Sequence, residues 1–131
     1  MARLKKQSVA AQTGGVWVRF DEIDFKIARL GNPRAVSLRE SFAAENAAQR
    51  EAGKPTRDPK EQWLDMLAQS ILVDWRGLDD DSGEPLPYTP EAARELLASP
   101  VYSDFKAWVE LQSADRENFL EKGEQATEKN S

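Results

Sequence analysis

Four times in 131 residues a capping residue stands directly before a proline: Asn32-Pro33, Asp58-Pro59, Thr89-Pro90 and Ser99-Pro100. The side-chain oxygen of Asn, Asp, Thr or Ser can accept from the unpaired N–H groups of a helix's first turn. Proline at the first helical position gives up a donor that has no intrahelical partner. The chain is thereby divided into helices with defined starts. Asp58-Pro59-Lys60-Glu61 is the strongest of them, because a Glu three residues after the cap can reach back to it.

Between these starts the apolar spacing is helical. The first helix carries Val36, Leu38, Phe42, Ala43 and Ala47 and is predicted to stop at Gly53, which can take the left-handed cap conformation. The second, from Lys60 to about Trp75, carries Trp63, Leu64, Leu67, Ile71, Leu72 and Trp75 and reads as the central core helix. Ala92, Ala93, Leu96 and Leu97 line the third; Tyr102, Phe105, Trp108, Val109 and Leu111 mark the fourth. Residues 113–120 either continue that helix or form a separate turn through Phe119.

Only the N-terminal third has period two. Val16, Val18 and Phe20, then Ile23, Phe25 and Ile27, predict a β-hairpin. Its Asp21-Glu22 link lacks the glycine of a tight primed turn, so a bulged or wider loop is expected. Residues 1–15 read as a disordered basic arm and residues 123–131 as a disordered tail. The fold class is mainly α: one small helical domain over residues 16–122, with an N-terminal β-hairpin covering one side of its core.

The chain has no cysteine and no histidine, which removes thiolate chemistry, the commonest general base and the commonest metal ligand. An enzyme is not expected, nor are a cofactor or a metal site. A net charge of −5 disfavours nucleic acid and anionic lipid as partners. Arg3, Lys5 and Lys6 precede the first acid at Asp21, but no apolar run follows them to make a signal peptide. No stretch of about eighteen apolar residues exists to span a membrane, and a soluble cytoplasmic protein is expected.

Asp79-Asp80-Asp81-Ser82-Gly83-Glu84 invites a calcium reading. With Gly83 at the sixth position of an EF-hand loop, Leu78 and Thr89 fall where the essential carboxylates belong, so a solvated acidic turn is expected instead. Sequence neighbours in a turn also cannot flank a sugar as paired acid and base. Neither Gly14-Gly15 nor Gly31-Asn32-Pro33 has the spacing of a phosphate loop. Of the four tryptophans, Trp63 and Trp75 are assigned to the core. Trp17 alternates out of phase with Val16 and Val18 and is expected on the outer face of the hairpin. An exposed aromatic patch of Trp17, Tyr88 and Trp108 is the candidate partner surface, although core burial is the default for Trp108.

Taken in order, Phe25-Lys26-Ile27-Ala28-Arg29-Leu30-Gly31-Asn32-Pro33, Leu67-Ala68, Ile71-Leu72-Val73-Asp74-Trp75-Arg76-Gly77-Leu78, Asp81-Ser82-Gly83-Glu84-Pro85-Leu86-Pro87-Tyr88-Thr89-Pro90-Glu91, Leu96-Leu97 and Phe105-Lys106-Ala107-Trp108-Val109 form a pattern. It resembles the tail assembly chaperones of long-tailed bacteriophages over about residues 20–120. Trp75, Gly77, Asp81, Gly83 and Thr89 carry the helix-stop and turn motif. The resemblance implies a non-enzymatic protein of the host cytoplasm that binds the tape measure protein and keeps it soluble. It also implies help in assembling tail-tube protein and departure before the virion is complete. A longer frameshifted form of the same chain is a further implied partner, and Glu128-Lys129-Asn130 can be encoded by a slippery A AAA AAC heptamer. A homo-oligomer that covers apolar client faces by helix-in-groove contacts fits this role. The alternative is a structural minor tail or head-tail connector component.

Overall fold

The computed structural model describes residues 2–124. The tail from residue 125 onward, with Glu128-Lys129-Asn130, lies outside the described residues.

The alternating segments pair as expected. β1 (Val16–Phe20) and β2 (Ile23–Ile27) run antiparallel, with Val18 opposite Phe25 and Phe20 opposite Ile23. Their link is tighter than the expected wide loop. Asp21 (φ 50°) and Glu22 (φ 65°) both take the left-handed conformation, giving a two-residue turn without glycine. The twist of such a turn matches the flanking strands. Two non-glycine residues there cost roughly 1–2 kcal/mol each, which the inward packing of Phe20 and Ile23 offsets.

The helix predicted over 60–75 stops early. α3 (Pro59–Met66) widens into one π-helical turn, Leu67–Ile71, and the chain then straightens into β3 (Leu72–Arg76). β3 pairs antiparallel with β2, so the hairpin becomes a three-stranded sheet of order β1-β2-β3. Apolar residues at Leu72 and Trp75 suit a helix face or a strand; the open edge of β2 decides, because it supplies backbone partners that a helical end would leave unused. Lys26 opposes Asp74 and Ile27 opposes Leu72, which leaves Val73 as a bulge.

The N-terminal arm is not disordered throughout. α1 (Val9–Gly14) is capped by Ser8, whose Oγ accepts from the Ala11 N–H. The Ser8 N–H donates to the Phe119 carbonyl at 2.7 Å and the Arg29 N–H to Gln12 at 2.8 Å. These ties use main-chain groups, to which apolar periodicity is blind. Gly15 (φ 91°) then turns the chain into β1 beside the bulge.

Asn32, Asp58 and Thr89 cap their helices as read, whereas Ser99 makes no side-chain cap bond. Asn32 starts α2 (Pro33–Glu51) by accepting from the N–H groups of Arg34 and Ala35. Gly53 (φ 70°) ends it, its own N–H bonding to Arg50 while that of Lys54 bonds to Gln49. Ala43 and Ala47, however, are exposed: α2 packs on the core through Ala35 and Phe42, with Val36 and Leu38 half-buried, and its second half is tied to α3 by reciprocal hydrogen bonds between Asn46 and Gln62. Asp58 caps α3 through the Lys60 N–H, but Glu61 pairs with Arg94 instead of closing the capping box. Thr89 caps α4 (Pro90–Ala98); Ser99-Pro100 opens a short 3₁₀ turn before α5 (Ser103–Ala114). A separate 3₁₀ turn, Arg116–Phe119, follows and buries Phe119 and Leu120.

The core lies between the inner face of the sheet and the helices. Phe25, Ile27 and Trp75 meet Leu67, Ile71, Leu97 and Phe105 there. Trp63 reaches across from α3 and donates its indole N–H to Glu110 of α5 at 2.7 Å.

Candidate partner-binding cleft

Gly77 (φ 80°) ends β3 and lets the chain reverse through the acidic segment. That segment is folded rather than merely solvated. The Leu86 N–H donates to Leu78 at 2.9 Å and the Asp80 N–H to Glu84 at 2.7 Å. The Asp80 carboxylate accepts from the N–H groups of Ser82 and Glu84, and Gly83 (φ 84°) completes the reversal. The returning limb is pinned to β3 by two side chains. Trp75 donates its indole N–H to the Leu86 carbonyl at 2.8 Å, and the Tyr88 hydroxyl donates to the Leu72 carbonyl at 2.7 Å. The Trp75 and Tyr88 rings meet edge to face at 5.0 Å. Burial, assisted by nearby Asp74, holds the Tyr88 hydroxyl above its ordinary pKa.

This connector forms one wall of an open cleft of about 390 Å³. Leu78 and Leu86 face Phe20, Ile23 and Phe25 of the hairpin, with Leu96 of α4 and Tyr102 and Phe105 closing the floor. Asp21, Asp79, Asp80, Asp81, Glu95 and Asp104 stand around the apolar floor. Among the described residues no Lys or Arg lines the cleft, and none forms an ion pair with those six carboxylates. An apolar site ringed by one sign of charge attracts a ligand that is apolar on one side and oppositely charged on the other.

The residues singled out from sequence are not brought together. Trp17 lies on the outer face of the sheet, as alternation requires, but it is not a bare patch. The Arg76 guanidinium sits 4.1 Å from its ring centroid and the Lys26 ammonium 5.6 Å. Asp24 joins the same face by pairing with Arg19 and Arg76. Trp108 packs on the other face, against Phe20 at 4.8 Å and Phe105 at 5.9 Å. Tyr88 is committed to Leu72 and Trp75. Of the turn motif, Gly77, Gly83 and Thr89 punctuate the backbone as expected, Asp81 stands on the rim of the cleft, and Trp75 belongs to a strand instead of a helix end. The lining residues come from four separate parts of the chain, so no local pattern announces them. The recurrence of acids beside apolar positions at Asp21, Asp79, Glu95 and Asp104 is their one trace in the sequence.

Outside the cleft, Asp65 receives Arg57 and Arg94, and Arg94 also holds Glu61. Burial pushes the Asp65 carboxyl up, but hydrogen bonds from the two guanidinium groups outweigh it and hold it below the ordinary value of 3.8. Among the described residues no group of three or more acidic side chains is placed to hold a metal ion, and no helix is long and apolar enough to cross a membrane.

No curated protein and no solved structure matches the chain. A family described as YdaY prophage protein matches residues 31–130, a span that includes β3, the acidic connector, α4 and α5. The chain belongs to the YdaY prophage protein family and is phage-derived.

Proposed function

We propose that this protein is a tail assembly chaperone, which binds the tape measure protein of its phage, keeps it soluble and assists tail-tube assembly without entering the mature virion. The observation that carries the reading is the open apolar cleft ringed by Asp21, Asp79, Asp80, Asp81, Glu95 and Asp104. Phage origin and the motif resemblance through Trp75, Gly77, Gly83 and Thr89 support it. A long helical client is prone to aggregate through its apolar faces, and a binder that covers those faces shifts the client away from aggregation by mass action. The role asks no bond chemistry of the protein, which in this reading is not an enzyme and works in the host cytoplasm. Tail-tube protein and a longer frameshifted form of the chain are proposed as further partners.

Co-expression with the tape measure protein of the same phage tests the proposal. The client is expected to move from the insoluble to the soluble fraction and to co-purify with this chain. Purified virions are expected to lack the protein. Its presence there at a fixed copy number would replace the reading with a structural minor tail or connector component.

A further inference from the structure

We infer that the acid-ringed cleft is the docking site for a cationic amphipathic helix, one that presents two or three apolar side chains between flanking Lys or Arg residues. The inference deepens the chaperone reading and rests on it, since it names the surface and the chemistry of the client. Three observations carry it. The floor is apolar and aromatic, from Ile23, Leu78, Leu86, Leu96, Tyr102 and Phe105. Tyr102 among them is 40% exposed, which leaves its ring available to a partner. The rim holds six carboxylates without a cation among the described lining residues, so charge complementarity selects a basic partner.

The size fits such an occupant. A cleft of about 390 Å³ lies within the range of roughly 300–1,000 Å³ in which sites enclose several apolar groups. The wall is also preformed. Asp80 holds the turn of the connector, and Trp75 and Tyr88 pin its return, so little ordering entropy is spent on binding. The N-terminal arm of a second copy has the right charge in Lys5 and Lys6. It offers a single large apolar side chain, Leu4, and residues 2–6 are too few for a helix. The cleft asks for more apolar surface than that arm carries.

The test uses the full-length protein and two fluorescent helical peptides of about 18 residues. One carries Leu at helical spacing with Lys on its flanks; the other replaces each Lys with Glu. Wild-type protein is expected to bind the Lys peptide at least about tenfold tighter than the Glu peptide, with affinity falling as salt rises. D79N/D81N/E95Q changes three carboxylates that form no side-chain hydrogen bond or ion pair among the described residues, so the fold is retained and circular dichroism confirms it. Its affinity for the Lys peptide is expected to drop about tenfold and its salt dependence to flatten. Leu96→Lys, at the floor, is expected to abolish binding.

Equal binding of both peptides, or undiminished binding by D79N/D81N/E95Q, overturns the inference. So does a wild-type oligomer that dissociates on deleting residues 2–6 and on the same triple substitution, because the cleft would then be filled by a second copy. The two proposals fail separately. If Leu96→Lys still solubilises the tape measure protein, the chaperone reading stands and the cleft assignment falls. If the Lys peptide binds as expected but wild-type protein fails to solubilise the tape measure protein, the cleft assignment stands and the client is another basic helix.

Discussion

The indole N–H of Trp75 meets the carbonyl of Leu86 at 2.8 Å, so the third strand and the returning limb of the acidic connector form one unit. Trp75 is buried and its ring also packs on Phe25 and Tyr88. The wall that carries Leu78, Leu86 and the three successive aspartates is therefore fixed from beneath.

Trp75→Phe keeps most of the apolar contact and removes the donor. The loss is expected to cost about 1–2 kcal/mol, since it leaves the Leu86 carbonyl unsatisfied and a smaller ring in the core. Urea denaturation measures the cost, and hydrogen exchange at residues 78–86 should accelerate more than exchange in α5.

Asn32 is almost fully buried and does two jobs: its oxygen caps α2, and its amide donates to the carbonyls of Arg29 and Ser70. Asn32→Ala is expected to destabilise the fold by about 2–3 kcal/mol, a cap's worth plus the buried Ser70 carbonyl left without its amide donor, while the Arg29 carbonyl keeps the main-chain N–H of residue 32. The midpoint of urea unfolding should fall accordingly, with its slope unchanged.

Asp65 has a folded-state pKa below its unfolded value, so the sign of its pH dependence is fixed. Its contribution is present above about pH 4 and is lost as pH falls through the folded value. Both guanidinium partners are partly exposed, and screening limits the effect to about 1 kcal/mol. Asp65→Asn should lower stability at neutral pH by that amount, and the gap to wild type should close as pH falls through the folded value of Asp65.

At Gly15 a Cβ would stand 3.1 Å from Val73 Cγ2 and 3.1 Å from Lys26 Cγ, and the backbone is at φ 91°. Gly15→Ala is expected to cost about 1–3 kcal/mol. Gly14 has nothing within 4 Å and sits in α1. Gly14→Ala is expected to be neutral or to stabilise by up to about 1 kcal/mol. Thermal melts of the two variants give the comparison.

What could be read from the chain follows the range of the forces involved. Asn32, Asp58 and Thr89 announce helix starts because a cap acts on the amides that follow it. The inner and outer residues of the hairpin follow from alternation, and Trp17 stands outside as expected. The Arg76 that stacks on it comes from β3, which could not be foreseen. Leu72 to Arg76 becomes a strand because β2 offers a free edge, a partner distant in sequence. Ser8 is held by the Phe119 carbonyl for the same kind of reason. The cleft is the extreme case. Its acids were visible at Asp79, Asp80 and Asp81 as a turn, but they gain meaning only when folding sets Asp21, Glu95 and Asp104 around the same apolar floor.

Hydrogen exchange on the complex between this protein and the tape measure protein tests the account most directly. New protection is expected at residues 20–25, 78–86 and 95–105, the segments that line the cleft. Protection confined to the second half of α2 or to the outer face carrying Trp17, with the cleft exchanging as in the free protein, would contradict it.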